Sequence, residues 1–300
     1  MKLSRPVVGI PPSYDDNQNL ETKTTKVYLK FLQDRGAYCV MTTAGTSQFN
    51  LLETEEIHEL NQCVVSSFDH QKILGIPQLS TINAVKFAKR ALQYMDEATE
   101  LMALYPDRFY GENVISDYVK SISDAVGKPI YLHAQNMRHG SKSWAWNYTS
   151  DLINKLSEDD KTLRGIKEEH PNLQAAYGFI RGLNKNIDVI VAGGSMRRYQ
   201  FLESAGANAF LSGIGNILPL LENMFFNAKK EERTTILDIE ANFFDFCMQN
   251  GWHKSLRESL KLANLTCFNN RNPWPKTDSE TLRKLTNVYD TTLKRIKYAK

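Results

Sequence analysis

The sequence predicts an α/β protein, a (β/α)₈ barrel carrying a C-terminal helical extension. Three observations predict it. Short apolar runs alternate with amphipathic helical windows over the first two thirds of the chain. There are eight such runs, the strand number of a closed (β/α)₈ barrel. From about Asn216 the alternation stops and the remainder reads as helix. Strands that alternate with helical windows are those of parallel βα units. The chain has 300 residues, 42% hydrophobic and 24% charged, enough for a barrel of about 250 residues plus an extension. The expected division is a barrel over 1–215 and a helical part over 216–300.

The first strand is the β-branched run Val7 to Ile10, ended by Pro11-Pro12. Val27, Tyr28, Phe31 and Leu32 then fall at helical spacing, and Gly36 closes that helix. The next strands are Tyr38 to Thr42, Ile73 to Ile76 and Leu101 to Leu104, the last stopped by Pro106. Pro129 to Leu132, Leu163 to Ile166, Ile187 to Ala192 and Ala209 to Leu211 complete the set. In the C-terminal part a break around Asn269 to Pro275 separates helices.

Composition excludes several classes. The net charge of +3 comes without a basic stripe, so nucleic acid is not an expected partner. No apolar stretch is long enough to span a bilayer, and Met1 to Pro6 has no apolar leader core, so no membrane role is expected. Cys39, Cys63, Cys247 and Cys267 are scattered with no C-x-x-C pair. They read as buried thiols in a reducing, cytoplasmic setting. The six histidines show no metal-ligand spacing, and no metal is expected.

In a (β/α)₈ barrel the chemistry sits at the C-terminal ends of the strands. That rule selects Gly45-Thr46-Ser47 after the second strand, His133 at the end of the fifth, Lys167 at the end of the sixth and Gly193-Gly194 after the seventh. A strand-end lysine more often reaches solvent. In a partly desolvated barrel mouth, its amine loses the ammonium proton more readily and can attack a carbonyl. A nearby histidine can shuttle protons for that chemistry, although alone it would read as a loop hydrogen-bond partner. Arg138, on the loop after His133, can bind a carboxylate bidentately or sit in a surface ion pair. The Gly45-Thr46-Ser47 turn offers backbone N–H groups and two hydroxyls to a carboxylate. The aromatic-rich segment Ser141 to Tyr148 either lines the substrate mouth, anchors its loop on the barrel or fills a subunit interface.

These motifs, in this order, resemble the dihydrodipicolinate synthase / N-acetylneuraminate lyase family across nearly the whole chain. Ala44 to Phe49 followed by Leu52 to Glu56 is similar to that family's G-[TS]-T-G-E-F turn and the helix start after it. Pro129 to His133 with Arg138-His139-Gly140 is similar to its P-[VI]-x-L-Y-N-x-P-x-R-T-G stretch. Gly165-Ile166-Lys167 matches its G-[IV]-K segment, Ser212-Gly213-x-Gly215-Asn216-x-x-Pro219 its S-G-x-x-N-x-x-P segment, and Arg271-Asn272-Pro273 its R-x-P turn.

The resemblance implies that Lys167 forms a Schiff base with pyruvate or a related 2-oxo acid. It further implies condensation with, or release from, an aldehyde or sugar-type partner, in a homo-oligomer (dimer or tetramer) that needs no cofactor. The strand-end rule and the resemblance together give a site with Lys167 and His133 as catalytic residues and Gly45, Thr46, Ser47, Arg138 and Gly194 binding substrate. The chain departs from the pattern where the family's fifth-strand tyrosine is His133, where the first hydroxyl residue of the turn is Gly45, and where Gly-Glu is Ser47-Gln48. Two other readings stay open: dehydration of a 2-oxo-3-deoxy sugar acid through the same imine, and a barrel that only binds a small molecule.

Overall fold

The computed structural model describes residues 3–42, 45–138, 144–158, 161–265 and 268–298. Ala44, His139, Gly140, Ser141, Lys142, Ser143 and Cys267, which belong to the motifs and counts above, lie outside them. All eight expected strands form: β1 (Val7–Gly9), β2 (Cys39–Met41), β3 (Gln71–Ile76), β4 (Thr99–Leu104) and β5 (Ile130–Ala134). A small hairpin, β6 (Met137–Arg138) and β7 (Trp144–Ala145), precedes β8 (Leu163–Glu168), β9 (Asp188–Val191) and β10 (Ala209–Phe210). The eight main strands make one sheet in chain order, β1-β2-β3-β4-β5-β8-β9-β10. A parallel bridge from Val7 to Leu211 links the first strand to the chain just after the last. Chain-order strands with that bridge are the topology of a (β/α)₈ barrel.

Helices α1 (Thr22–Asp34), α2 (Thr54–Ser67), α3 (Thr81–Ala91), α4 (Glu112–Val126), α5 (Ser150–Ser157), α6 (Leu173–Arg181) and α7 (Ser195–Leu202) alternate with the strands. Then come α8 (Pro219–Asn227), α9 (Lys230–Gln249), α10 (Trp252–Leu262) and α11 (Ser279–Tyr298). The chain divides into two compact units. The first comprises Met1–Val7 and Gln71–Leu211, and the second Val8–His70 and Ser212–Lys300.

In the first unit, β3, β4, β5, β8 and β9 are nearly solid with buried side chains, as parallel strands covered on both faces must be. Two observed strands outrun their apolar runs. β5 continues through His133 and Ala134, and β8 through Lys167 and Glu168. Polar residues ended these runs in the sequence, but the hydrogen-bonded ladder continues beneath them. His133 and Lys167 are therefore strand residues with fixed side-chain directions, at the strand ends where the sequence put them.

Packing on one face of β5 and β8 is set by a large-small pair. Tyr131 is registered with Gly165, and His133 two residues on with Lys167. A Cβ on Gly165 would stand 2.7 Å from both the Tyr131 ring and the Asp188 Cβ, so only glycine fits. The Tyr131 hydroxyl crosses that space and donates to Asp188 Oδ2 at 2.9 Å. This filled layer supports the His133–Lys167 layer above it.

In the second unit, Arg271 holds the first turn of α2 through Glu56, with 2.6 Å contacts to both carboxylate oxygens. Tyr28 donates to the Asn216 carbonyl at 2.9 Å. The Arg271 and Asn216 motifs are thus accounted for by packing. Cys39, Cys63 and Cys247 are free and buried. Among the described residues no helix is long and apolar enough to cross a membrane.

Candidate active site

Lys167 and His133 are 1% and 2% exposed. Lys167 Nζ lies 2.6 Å from His133 Nε2. The structure adds a third member that the strand-end rule did not select. Glu169 Oε2 is 3.2 Å from Lys167 Nζ and 2.8 Å from His133 Nε2. Residues 167 and 169 share a face by strand alternation, the one signal in the sequence that could have found Glu169. Its side chain stays 39% exposed, so the cluster opens to solvent on the glutamate side.

The charges follow from this burial. Desolvation lowers the Lys167 pKa from 10.5, with Glu169 opposing it. Desolvation and the neighbouring Lys167 charge lower the His133 pKa from 6.5. Burial alone would raise the Glu169 carboxyl, but the Lys167 charge and the His133 hydrogen bond hold it well below the usual carboxylate range. His133 Nδ1 is buried without a hydrogen-bond partner among the described residues.

Glu168 points to the other face. It is fully buried, and Arg198 on α7 donates one guanidinium nitrogen to its two oxygens at 2.8 and 2.9 Å. The same nitrogen donates to the His170 carbonyl at 2.8 Å, and the His170 N–H donates to Glu168. The chain leaving β8 is clamped on that side while Glu169 faces the amine. Gly194 caps α7, and a Cβ there would lie 2.8 Å from the Arg198 Cβ. Its glycine therefore lets Arg198 approach the turn.

Arg138 sits on β6 with its side chain half exposed. It is 3.2 Å from Asp107 Oδ2 and lies over the Trp144 ring, 5.0 Å from its centre. Trp146 donates to the Tyr148 carbonyl at 2.7 Å and packs on Tyr148, His170 and Phe179. Trp146 thus anchors its loop.

Gly45, Thr46 and Ser47 form a single 3₁₀ turn after β2, in the second unit. Thr46 and Ser47 are buried, and the Ser47 hydroxyl has no hydrogen-bond partner among the described residues. The next residue, Gln48, is left-handed at φ 48°. Arg257, 1% exposed, donates to Gln48 Oε1 at 2.7 Å and to the Pro12 and Asn269 carbonyls at 2.8 and 2.9 Å. Neither Gln48 nor Arg257 was selected by sequence. The two are 209 residues apart in the chain, and no local pattern joins them.

The dihydrodipicolinate synthetase family model matches residues 2–291. The chain belongs to the dihydrodipicolinate synthetase family. It is 19% identical over 225 residues to an uncharacterized DapA-like lyase of Pyrococcus horikoshii, covering 75% of this chain and 76% of that one. A sialic acid aldolase of Ruminococcus gnavus superposes with a TM-score of 0.86 at 15% identity, covering 99% of both chains. The 4-hydroxy-tetrahydrodipicolinate synthase of Methylacidiphilum fumariolicum superposes with a TM-score of 0.82 at 18% identity, over 99% of this chain and 98% of that one. Both superpositions show the (β/α)₈ fold. Membership makes the chain an enzyme of the aldolase and lyase type, acting on small molecules.

Proposed function

We propose that this chain is a Schiff-base-forming lyase or aldolase whose first substrate is pyruvate or a related 2-oxo acid. The observation that carries the reading is the buried Lys167 amine, with depressed pKa, 2.6 Å from His133 Nε2. An amine in that setting offers its lone pair at a lower pH than a solvated lysine does. Nζ adds to the C2 carbonyl, His133 moves a proton from nitrogen to oxygen to give the carbinolamine, and its hydroxyl takes a further proton from solvent and leaves as water to give the iminium. The iminium then draws in electrons from C3, so a C3–C4 bond can break to release an aldehyde or form by the reverse step.

The Gly45-Thr46-Ser47 turn is proposed to take the substrate carboxylate, a role supported by its buried, unpartnered Ser47 hydroxyl. Arg138 is proposed to bring positive charge to the second, aldehyde or sugar-type reactant, exchanging Asp107 for it. Gly194 is proposed to contribute through its backbone. The protein is further proposed to act in the cytoplasm as a homodimer or homotetramer.

The test is borohydride reduction in the presence of pyruvate and other 2-oxo acids, read by intact mass and peptide mapping. An adduct on Lys167, absent from Lys167→Ala, is expected. A folded protein that yields no adduct with any acid would overturn the reading in favour of a barrel that only binds its ligand.

A further inference from the structure

Glu169 Oε2, Lys167 Nζ and His133 Nε2 form a closed triangle with sides of 2.6, 2.8 and 3.2 Å. A proton can therefore pass from any one of these atoms to another with no heavy atom moving, which is what a proton relay requires. Glu169 is also the most open corner, 39% exposed against 1% and 3% for the side chains of Lys167 and His133. A reactant held on Nζ meets the carboxylate directly. Glu168, by contrast, is occupied by Arg198 and has no part in the triangle.

We propose that Glu169 is a catalytic residue, the base that together with His133 moves the C3 proton of the 2-oxo acid bound on Lys167. This rests on the imine reading above. In the iminium the C3–H bond breaks and its electron pair becomes the C2=C3 bond. The C=N π pair returns to nitrogen, and the proton goes to the Glu169 carboxylate or through it to His133. With the proton on Glu169, a cation and an anion become a neutral enamine and a neutral carboxylic acid. Both charges vanish together, so no isolated charge is left in a buried site, where one would be strongly disfavoured. When C3 attacks an aldehyde, the relay returns the proton to the new alkoxide.

A static counter-ion makes a different prediction. Its removal would leave proton transfer intact and only free the amine, which Glu169 otherwise helps to keep protonated. The experiment therefore reads two steps separately. Imine formation is followed by borohydride trapping with pyruvate, and C3 proton transfer by loss of the pyruvate methyl signal in D₂O by NMR.

In Glu169→Gln, trapping is expected at the wild-type rate or faster, while exchange falls by about 10²- to 10⁴-fold. In Glu169→Ala, added formate is expected to restore exchange, and trapping reports that the variant is folded. Exchange within threefold of wild type in Glu169→Gln would overturn the assignment, as would trapping and exchange falling in equal proportion. No adduct in the wild-type protein would instead bring down the imine reading, and this assignment with it.

Discussion

His133 and Lys167 are a registered pair on neighbouring parallel strands, and their side-chain nitrogens lie 2.6 Å apart. The contact is built into the sheet, because both side chains project from the same layer above Tyr131 and Gly165. In His133→Phe the packing volume is nearly kept and Nε2 is lost. Turnover is expected to fall by about 10²- to 10⁴-fold, the usual worth of a positioned acid or base. The borohydride adduct on Lys167 should still form, but more slowly, because His133 also moves the proton during imine formation. Full turnover in this variant would remove His133 from the proton path.

The pH dependence follows from the Lys167 shift. Only the unprotonated amine attacks, so the rate of adduct formation rises as pH passes upward through the amine's pKa. Burial moves that pKa below 10.5, against the pull of Glu169. A trapping rate measured against pH should therefore show its midpoint below 10.5. His133 is likewise shifted below 6.5 by burial and by the Lys167 charge, so its imidazole is predominantly neutral at pH 6.5 and above. A midpoint at or above 10.5 would mean that Glu169 outweighs desolvation.

Much of this was legible in the sequence, and its gaps have physical causes. The apolar runs located every main strand, because a buried parallel strand must be apolar on both faces. The rule that barrel chemistry lies at strand ends then singled out Lys167 and His133. Neighbouring strand ends were expected to bring the two close, but direct contact depends on the interstrand register that also pairs Tyr131 with Gly165, which neither strand shows alone. Glu169 was hidden in the run Glu168-Glu169-His170, which reads as a solvated charge cluster. Alternation sends one of these carboxylates to Arg198 and the other to Lys167, a distinction that composition cannot make. Arg138 was legible as a cation near His133, but its exposed pairing with Asp107 depends on the β6–β7 hairpin.

Gly165→Ala tests the layer beneath the site. The added methyl would stand 2.7 Å from the Tyr131 ring and the Asp188 Cβ, and neighbouring strands cannot part locally. A loss of about 1–3 kcal/mol is expected from such overpacking, measured by denaturant unfolding. Pairing it with Tyr131→Leu should recover part of that loss by removing the ring. A fully stable Gly165→Ala would show that the strands have slack.

Arg198→Met should be among the most damaging single changes in the first unit. It leaves the Glu168 carboxylate buried with only the His170 N–H for company. Removing one partner of a buried ion pair costs about 3–5 kcal/mol, whereas replacing both by apolar residues is often neutral. Denaturation midpoints should therefore fall sharply for Arg198→Met and recover in the double variant Glu168→Leu/Arg198→Met. Equal losses in the single and double variants would mean that the pair itself holds the chain after β8.

Arg257→Met tests the turn that carries Thr46 and Ser47. The guanidinium serves three acceptors, Gln48 Oε1 and the Pro12 and Asn269 carbonyls, all at 2.7 to 2.9 Å. Methionine fills much of the same volume and donates to none of them. Each buried acceptor left without a donor costs about 1–3 kcal/mol, so a loss of about 3 kcal/mol or more is expected in denaturant. Arg257→Lys keeps the charge but not the planar fork, and one ammonium on a shorter reach cannot serve three acceptors on different segments. It should fall between wild type and Arg257→Met. If Arg257→Met were as stable as wild type, water would have to replace the guanidinium, and the left-handed Gln48 turn would owe its shape to its own backbone.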